Sequence, residues 1–600
     1  MSIRLVQALR PRYTGRMLKE YRSLLPYLRK YRLNYAIGIF CLLIVDGAQV
    51  IIPQLIRRAV DTISSGAFVP RDIALIGLQM VGVAAVISIG RFLWRYFIHG
   101  ASRRIETQMR DRLFAHLLKL SGGFYQANKT GDLMARATND MGAIRQATGM
   151  GFVTFVDGTF MSVAILLVMF AQNPGTALLT VIPLPLVTLL IIFFGSMVGK
   201  RFKRVQEIFS RLSEIAQETT AGVRVVKAFV KEEHFAADFS RANDEYRVAS
   251  MSLVKIFGFF FPLISFLSGL TILILLLAGG GAVLENRMSA GDIVAMLAYL
   301  EMLIWPMIGA GFTVNLLQRG ATSLKRVNEV LDSIPDIASL PGASKDVPKG
   351  DIEFKNLTFS YSGAASEALS LISFSLHRGE TLGILGRVGS GKSTMLKLLP
   401  RLIDPPAGSI YIGGRDVRDF ELASLRRAFG FVPQDSFLFS DSVEANIRFG
   451  DPSISDERFK RVAEISTISR DVAEFPSGWA TVVGEKGLTL SGGQKQRVAI
   501  SRALATDPEI LVFDDALSAV DAETEDRILS SLLEERSGKT NIIVSHRVST
   551  LRHADLVIVL AGGRIAQRGT HEELLAESDG FYAEIARLQE LERAVEKGAR

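Results

Sequence analysis

Residues 386–394 read Gly-Arg-Val-Gly-Ser-Gly-Lys-Ser-Thr, and the fold of the second half of the chain follows from them. An apolar run, 381–385, leads into this stretch and a helix-forming run, 395–399, leads out of it. Strand, glycine loop and helix in that order make G-x-x-x-x-G-K-[ST] a phosphate-binding loop. Gly386, Gly389 and Gly391 permit backbone conformations that a side chain would forbid. The loop amides, those of Arg387, Val388 and Ser390 among them, can then turn toward phosphate oxygens. Lys392 is expected to reach the two outer phosphates, and the Ser393 hydroxyl, followed by Thr394, to take a position on Mg²⁺.

Outward from the loop, composition divides the chain. Its 600 residues are 48% hydrophobic and yet 22% charged, a mixture that describes an apolar part joined to a soluble one. Such a length holds several domains. Cys41 is the single cysteine, which excludes disulfide frameworks and cysteine-ligated metal centres within one chain. The net charge of +8 suits either nucleic acid or the basic loops of a membrane protein, and its distribution decides between them.

Six apolar stretches precede residue 332, at 35–56, 73–98, 151–171, 177–198, 256–278 and 293–312, each near the ~20 residues that a membrane-crossing helix needs. The segments between them differ in charge and length. Segments 99–150 and 199–255 are long and rich in Lys and Arg, whereas 57–72, 172–176 and 279–292 are short and carry few basic residues. The positive-inside rule therefore puts the long loops, the N-terminus and the second half of the chain in the cytosol. This accounts for most of the basic excess, so no nucleic-acid partner is expected. The long loops are helix-like, so the membrane helices are expected to continue into the cytosol. Residues 1–16 are basic and acid-free without a signal-peptide core, and read as a cytosolic lead-in. Residues 17–32 mix Leu and Tyr with Lys and Arg, as an interfacial helix does.

Within the apolar stretches, Asp46, Asp157 and Glu301 sit near the middle, and Arg91 and Arg95 nearer a cytosolic end. Intramembrane ionisable groups mark a substrate or proton path, or else pair structurally or wall a water-filled cavity. Pro183, Pro185, Pro262 and Pro306 are expected to kink their helices. Phe257, Phe259, Phe260 and Phe261 form an aromatic cluster that reads as lipid or helix packing, with the wall of a ligand cavity as the alternative. Two loop pieces, 123–133 and 222–229, carry apolar side chains and are expected to dock on the soluble half.

A polar stretch rich in Pro and Gly, 333–350, separates this half from a soluble α/β domain. Residues 511–514 read as a buried strand ending in Asp514, an acid placed to hold Mg²⁺. Ser491-Gly492-Gly493-Gln494, after Leu490, opens a helix and forms a second anion site from free amides and the helix dipole. One terminal phosphate does not need two such sites in one subunit, which suggests that the second serves a neighbour.

With these motifs assembled, the chain resembles an ATP-binding cassette exporter half-transporter over its whole length. The resemblance implies an α-helical six-span membrane domain (1–331), a linker (332–350) and an α/β P-loop nucleotide-binding domain (351–600). It implies ATP and Mg²⁺ as cofactors, ATP hydrolysis coupled to export, and a second half-transporter, membrane lipids and an amphipathic small molecule as partners. It also implies a multi-pass protein of the bacterial plasma (inner) membrane. Tyr361 is similar to the aromatic that stacks on adenine, and Gln434 to the glutamine that senses Mg²⁺ and the attacking water. Residues 481–487 resemble the loop that exporters carry ahead of the signature. Ser518 and Asp521 resemble the loop that crosses the dimer interface, and His546 the histidine on the terminal phosphate. Pieces 123–133 and 222–229 fall where the family keeps its coupling helices.

One position departs from the pattern. The family places a catalytic glutamate after Asp514, and here that residue is Asp515. The shorter side chain draws the carboxylate back by about 1 Å, a displacement that can cost about a hundredfold. In the family this change is typical of one member of heterodimeric exporters, with a weak site in this chain and a competent one completed by its intact signature. A homodimer in which Asp515 works slowly, an ATP-gated channel or regulator, and an importer are the competing readings; a soluble ATPase or DNA-repair cassette is excluded by the six spans.

Overall fold

The computed structural model describes residues 19–66, 69–361, 363–364, 366–484, 487 and 490–598. It divides into two compact units. One comprises the described residues up to Leu118 with Lys129–Ser333; the other comprises Lys119–Asn128 and the described residues from Ile334 onward. The lead-in expected at 1–16 lies outside the described residues, and of the expected interfacial helix the short helices Arg22–Leu24 and Leu25–Lys30 are seen.

The first unit is helical. Among the described residues, five helices are long and apolar enough to cross a membrane: Arg32–Ser64, Pro70–Leu117, Thr130–Gln172, Glu232–Leu284 and Ala290–Leu331. Five of the six expected spans are thus single helices of that length. The fourth stretch, 177–198, is instead divided between the helices Pro174–Val181 and Pro183–Ala221. Pro183 has no N–H to donate to the carbonyl four residues back, so the hydrogen-bond ladder breaks there and a new helix starts with proline in its first turn. Pro262 and Pro306, by contrast, lie inside unbroken helices. The 53 residues of Glu232–Leu284 span about 80 Å at ~1.5 Å per residue, far more than the ~30 Å hydrocarbon core. Its first half, polar in sequence, continues beyond the membrane as expected.

Interior packing in this unit uses Val50, Met161, Ile165, Met169, Leu275 and Leu303, with Tyr299 buried among them. The Tyr299 hydroxyl is satisfied there: it donates to the Val50 carbonyl at 2.7 Å and accepts from Gln54 at 3.0 Å. The loop piece 222–229 forms the helix Val223–Ala228, with Val225 and Phe229 exposed.

Among the described residues the second unit contains ten strands: β1 (Ile352–Phe359), β2 (Leu369–Leu376), β3 (Thr381–Gly386), β4 (Ile410–Ile412), β5 (Arg415–Asp416), β6 (Phe429–Val432), β7 (Ile510–Asp514), β8 (Thr540–Val544), β9 (Leu556–Ala561) and β10 (Arg564–Gly569). An antiparallel sheet runs β2-β1-β4-β5, and a six-stranded sheet runs β10-β9-β3-β8-β7-β6. The latter is parallel from β9 to β6, with β10 antiparallel at its edge. Every residue of β3, β7 and β8 is buried. Layers cover both faces of such strands, which is why they read as unbroken apolar runs rather than alternating ones. Ile384, Val512, Val544 and Leu396 pack on one face; Val498, Ile500, Phe513 and Ile543 pack on the other. The first loop piece forms the helix Gly122–Ala127 of this unit, and Ser121 beside it donates to Asp336 at 3.1 Å.

Candidate nucleotide site

Three neighbouring strands end side by side. Register pairs Ile384 of β3 with Val544 of β8, and Val544 with Asp514 of β7. The segments that follow these strands carry the glycine loop, Asp515 and His546, at the carboxyl edge where parallel sheets place their ligands. Together they line a cavity of about 300 Å³ whose walls include Tyr361, Val388, Gly389, Ser390, Gly391, Lys392, Ser393, Thr394, Gln434, Asp514, Asp515 and His546. Of the residues singled out from sequence for one ATP site, all but Gly386 and Arg387 line this cavity.

The glycines act in two different ways. Gly389 (φ 83°) and Gly391 (φ 99°) hold left-handed conformations, as anticipated. Gly386 does not; its constraint is space, since a Cβ there would sit 2.5 Å from the Leu560 carbonyl oxygen and 2.6 Å from Ser390 Oγ. Lys392 is buried and donates from Nζ to the carbonyls of Gly386 (2.7 Å) and Arg387 (3.0 Å). Ser390 Oγ is buried without a hydrogen-bond partner among the described residues. A lysine, an unsatisfied hydroxyl and two left-handed glycines form a cradle suited to phosphate oxygens. Arg387 is turned away from it, its guanidinium 5.2 Å from the centre of the Phe581 ring.

Ser393 Oγ donates to Asp514 Oδ1 at 2.9 Å. A hydroxyl and a carboxylate beside a phosphate cradle, with the Gln434 amide on the same wall, are the hard oxygen donors that Mg²⁺ takes, so the donor set fits this ion. Burial pushes the Asp514 carboxyl above its ordinary range, while Ser393 and Lys397 pull it back in part. Burial likewise raises Asp515, against the opposing pull of His546 and Lys392. Lys392 is itself lowered by burial, with Asp515 and Asp514 resisting.

A stability prediction follows from Asp514. Its folded-state carboxyl is harder to ionise than the unfolded one, so stability falls as pH rises from the unfolded value through the raised folded value, and the cost is complete above that window. At pH 7, Asp514→Asn should therefore raise the metal-free, nucleotide-free melting temperature by about 2 °C. The same variant should lose the further stabilisation that Mg²⁺ and ATP give the wild type, which scanning fluorimetry of the full-length protein in detergent would read.

Asp515 is held in a left-handed conformation (φ 53°) that Asp tolerates better than most residues. Its N–H donates to the Val544 carbonyl at 3.1 Å, and its carbonyl accepts the Ser518 hydroxyl at 2.9 Å. Ser518 Oγ also accepts from Gln496 Nε2 at 3.3 Å, and Gln496 Oε1 accepts the Ala519 N–H at 3.1 Å. Gln496, buried on the helix Gly492–Ala505, thus ties that helix to the loop after Asp515. Asp521 caps its own helix, Ala522–Glu535, by accepting the Thr524 N–H at 3.0 Å, and this bond holds its carboxyl low.

Ser491 and Gln494 close a reciprocal cap: Ser491 Oγ accepts the Gln494 N–H at 3.3 Å, and Gln494 Oε1 accepts the Ser491 N–H at 3.0 Å. Gln494 and Arg497 both donate to Asp471, the arginine through two bonds of 2.7 and 2.9 Å. A Cβ on Gly493 would lie 2.9 Å from the Ala519 carbonyl oxygen. None of Ser491, Gly492, Gly493 and Gln494 lines the 300 Å³ cavity.

Residues that sequence reasoning missed hold His546. Its carbonyl accepts Gln589 Nε2 at 2.7 Å, and Gln589 Oε1 accepts the Val548 N–H at 2.9 Å. Next to it, Arg547 and Thr550 both hydrogen-bond to Glu525, which is buried on Ala522–Glu535. A glutamate on the apolar side of an amphipathic helix is the one signal that could have found this hub. Tyr361 keeps a half-exposed ring, its hydroxyl 3.0 Å from Thr394 Oγ1. Of the stretch 481–487, Glu485 and Lys486 lie outside the described residues. In the helical unit Asp46 is buried, Asp157 half-buried and Glu301 exposed.

A phosphate cradle with an adjacent acid, on a parallel sheet joined to membrane-length helices, defines the class: an ATPase built into a membrane transporter. Residues 35–307 match the family of the ABC transporter transmembrane region, and 369–518 the ABC transporter family. The chain is 40% identical over 576 residues to the probable multidrug resistance ABC transporter ATP-binding/permease protein YheI of Bacillus subtilis (strain 168), covering 96% of this chain and 98% of the relative. It is 34% identical over 582 residues to the multidrug resistance-like ATP-binding protein MdlA of Escherichia coli (strain K12), covering 96% and 98%. Against the ATP-dependent lipid A-core flippase of Syntrophus aciditrophicus (strain SB) identity is 31%, covering 94% and 93%. Among solved structures, a bacterial Atm1-family ABC exporter with ATP bound matches with a TM-score of 0.75 and 27% identity, covering 94% and 98%. The chain belongs to the ABC transporter family, as an exporter half-transporter with one membrane domain and one nucleotide-binding domain. It is a multi-pass membrane protein whose ATP hydrolysis is coupled to export, in a family whose exporters work as dimers.

Proposed function

We propose that this chain is one subunit of a heterodimeric exporter of amphipathic, drug-like or lipid-like molecules, and that its own ATP site is the slow one. The observation that carries this reading is Asp515, a short acid where exporters place a glutamate. The backbone around it is pinned by Val544 and Ser518, so the loop does not advance to make up the missing reach. In this reading Lys392 and the loop amides bind the outer phosphates, Tyr361 stacks on adenine, and Ser393, Asp514 and Gln434 would hold Mg²⁺. When bound, that ion would neutralise charge that develops on the outer phosphates. Asp515 reaches poorly toward the attacking water, and His546 meets the terminal phosphate. Ser491, Gly492, Gly493 and Gln494 act on ATP held by the partner, with Ser518 and Asp521 at the shared interface. The membrane domain spans 1–331 of a bacterial plasma-membrane protein with both termini cytosolic, and 351–600 is the engine. Similarity to a probable multidrug resistance transporter and to a lipid A-core flippase supports an amphipathic cargo.

Purified alone, the chain is expected to hydrolyse ATP at least about thirtyfold more slowly than with a second half-transporter that carries the glutamate. Glu→Gln in that partner should abolish turnover. Robust turnover by this chain alone, or loss of turnover through Asp515→Asn with the partner's glutamate intact, would overturn the assignment.

A further inference from the structure

The last helix of the described chain, Phe581–Gly598, is rooted in the soluble unit by Tyr582, which has no exposed surface. The Tyr582 hydroxyl lies 2.8 Å from His571 Nδ1, and its N–H donates to Gln567 Oε1 of β10 at 3.1 Å. From that root the helix reaches two segments of the nucleotide site. At its first residue, the Phe581 ring centre lies 5.2 Å from the Arg387 guanidinium, a cation–π contact that gives the glycine loop a partner outside the cavity. About two helical turns further on, Gln589 brackets the segment after β8 with one amide. Its Nε2 donates to the His546 carbonyl at 2.7 Å, and its Oε1 accepts the Val548 N–H at 2.9 Å. Both bonds go to backbone atoms, so they set where the His546 side chain points without using its imidazole. Glu525 holds the residues that follow through Arg547 and Thr550. Gln589 is half-buried, so water can reach the groups it would leave behind. What its loss removes is the aim of His546 rather than the fold around it.

We propose that Phe581–Gly598 is a scaffold of this chain's ATP site in which Gln589 and Phe581 are positioning residues with different tasks: Gln589 aims His546 at the terminal phosphate, and Phe581 restrains the glycine loop. This deepens the reading of His546 above and rests on it. The two tasks separate by ligand. ADP lacks the terminal phosphate, so a misaimed His546 weakens ATP binding and leaves ADP binding alone. The glycine loop holds phosphate that both nucleotides carry, so a released Arg387 weakens both. The preference of this site for ATP over ADP is therefore set in part from the C-terminal helix, by a residue that does not itself line the cavity.

The test uses the full-length protein with its partner half-transporter in lipid nanodiscs, photolabelled on ice with 8-azido-ATP. The azide is on adenine, so label on this chain's band reports the cavity that Tyr361 lines. Competitors, each with Mg²⁺, are ADP and the β,γ-imido analogue of ATP, which keeps the terminal phosphate and is not hydrolysed. Gln589→Ala is expected to weaken the analogue at least about fivefold and ADP by less than about twofold, and His546→Ala to do the same. Phe581→Leu should weaken both competitors about threefold, and Phe581→Tyr, which keeps an aromatic face, should restore them. Should Gln589→Ala fold poorly, Gln589→Glu gives the same reading, because it keeps an acceptor for the Val548 N–H but has no donor for the His546 carbonyl. Equal losses of analogue and ADP in the Gln589 variants would mean a merely structural role and overturn the proposal. Unchanged analogue affinity in those variants, with His546→Ala impaired, would overturn it while leaving the reading of His546 standing. An unimpaired His546→Ala would bring down both. Phe581→Leu with neither competitor weakened would remove the loop's share of the scaffold.

Discussion

Asp515→Glu is expected to raise ATP hydrolysis by about tenfold to a hundredfold when the partner's glutamate has been changed to Gln, so that only this chain's site can turn over. The added methylene restores the reach toward the water that the aspartate lacks. The backbone limits the gain. At φ 53° residue 515 sits in the left-handed region, where Glu is less at home than Asp, and the conformation costs about 1–2 kcal/mol for an ordinary residue. Val544 and Ser518 fix that conformation through the residue's N–H and carbonyl, neither of which the substitution removes. The longer side chain should therefore be delivered into the same cavity. Steady-state phosphate release, read beside nucleotide affinity, separates chemistry from binding. A rate that stays flat or falls at unchanged affinity would show that carboxylate reach is not what slows this site.

Gly493→Val carries the largest expected loss, about a hundredfold or more in ATPase of the assembled pair with the partner's glutamate intact. A Cβ at Gly493 would lie 2.9 Å from the Ala519 carbonyl oxygen, and that oxygen is backbone, held in place through the Gln496 bond to the Ala519 N–H. Either the helix Gly492–Ala505 or the loop 518–521 must move, and in the proposed assembly both face the partner's nucleotide. ATP affinity at this chain's own cavity should change by less than about twofold, because Gly493 does not line it. Turnover kept within about threefold of wild type would count against the signature acting on the partner's ATP.

Much of the nucleotide site was legible because its chemistry is local. A nine-residue loop, a strand-ending acid and a Ser-Gly-Gly helix start each carry their reason within a few residues. The supports were not legible. Gln496 meets Ser518 across 22 residues and Gln589 meets His546 across 43, and a polar residue on a helix gives no hint of so distant a partner. Gly386 was read for its backbone angle, whereas a carbonyl from β9 explains it. Membrane stretches were visible as hydropathy, but a run of apolar residues does not say whether its ladder is continuous, and Pro183 divides the fourth.

By itself the sequence determined the class of this protein. Apolar length, the phosphate loop and the signature are properties of contiguous residues, and Asp515 is a departure visible in one position. Only the tertiary structure decided which ionisable residues are buried. Asp46, Asp157 and Glu301 look alike along the chain, each a lone acid in an apolar run. Helix packing buries Asp46, half-buries Asp157 and leaves Glu301 exposed, because the face that a residue presents depends on which helices surround it. In the same way β3, β7 and β8 bring Gly386, Asp514 and His546 to one edge, since hydrogen-bond register between strands distant in sequence sets where each ends.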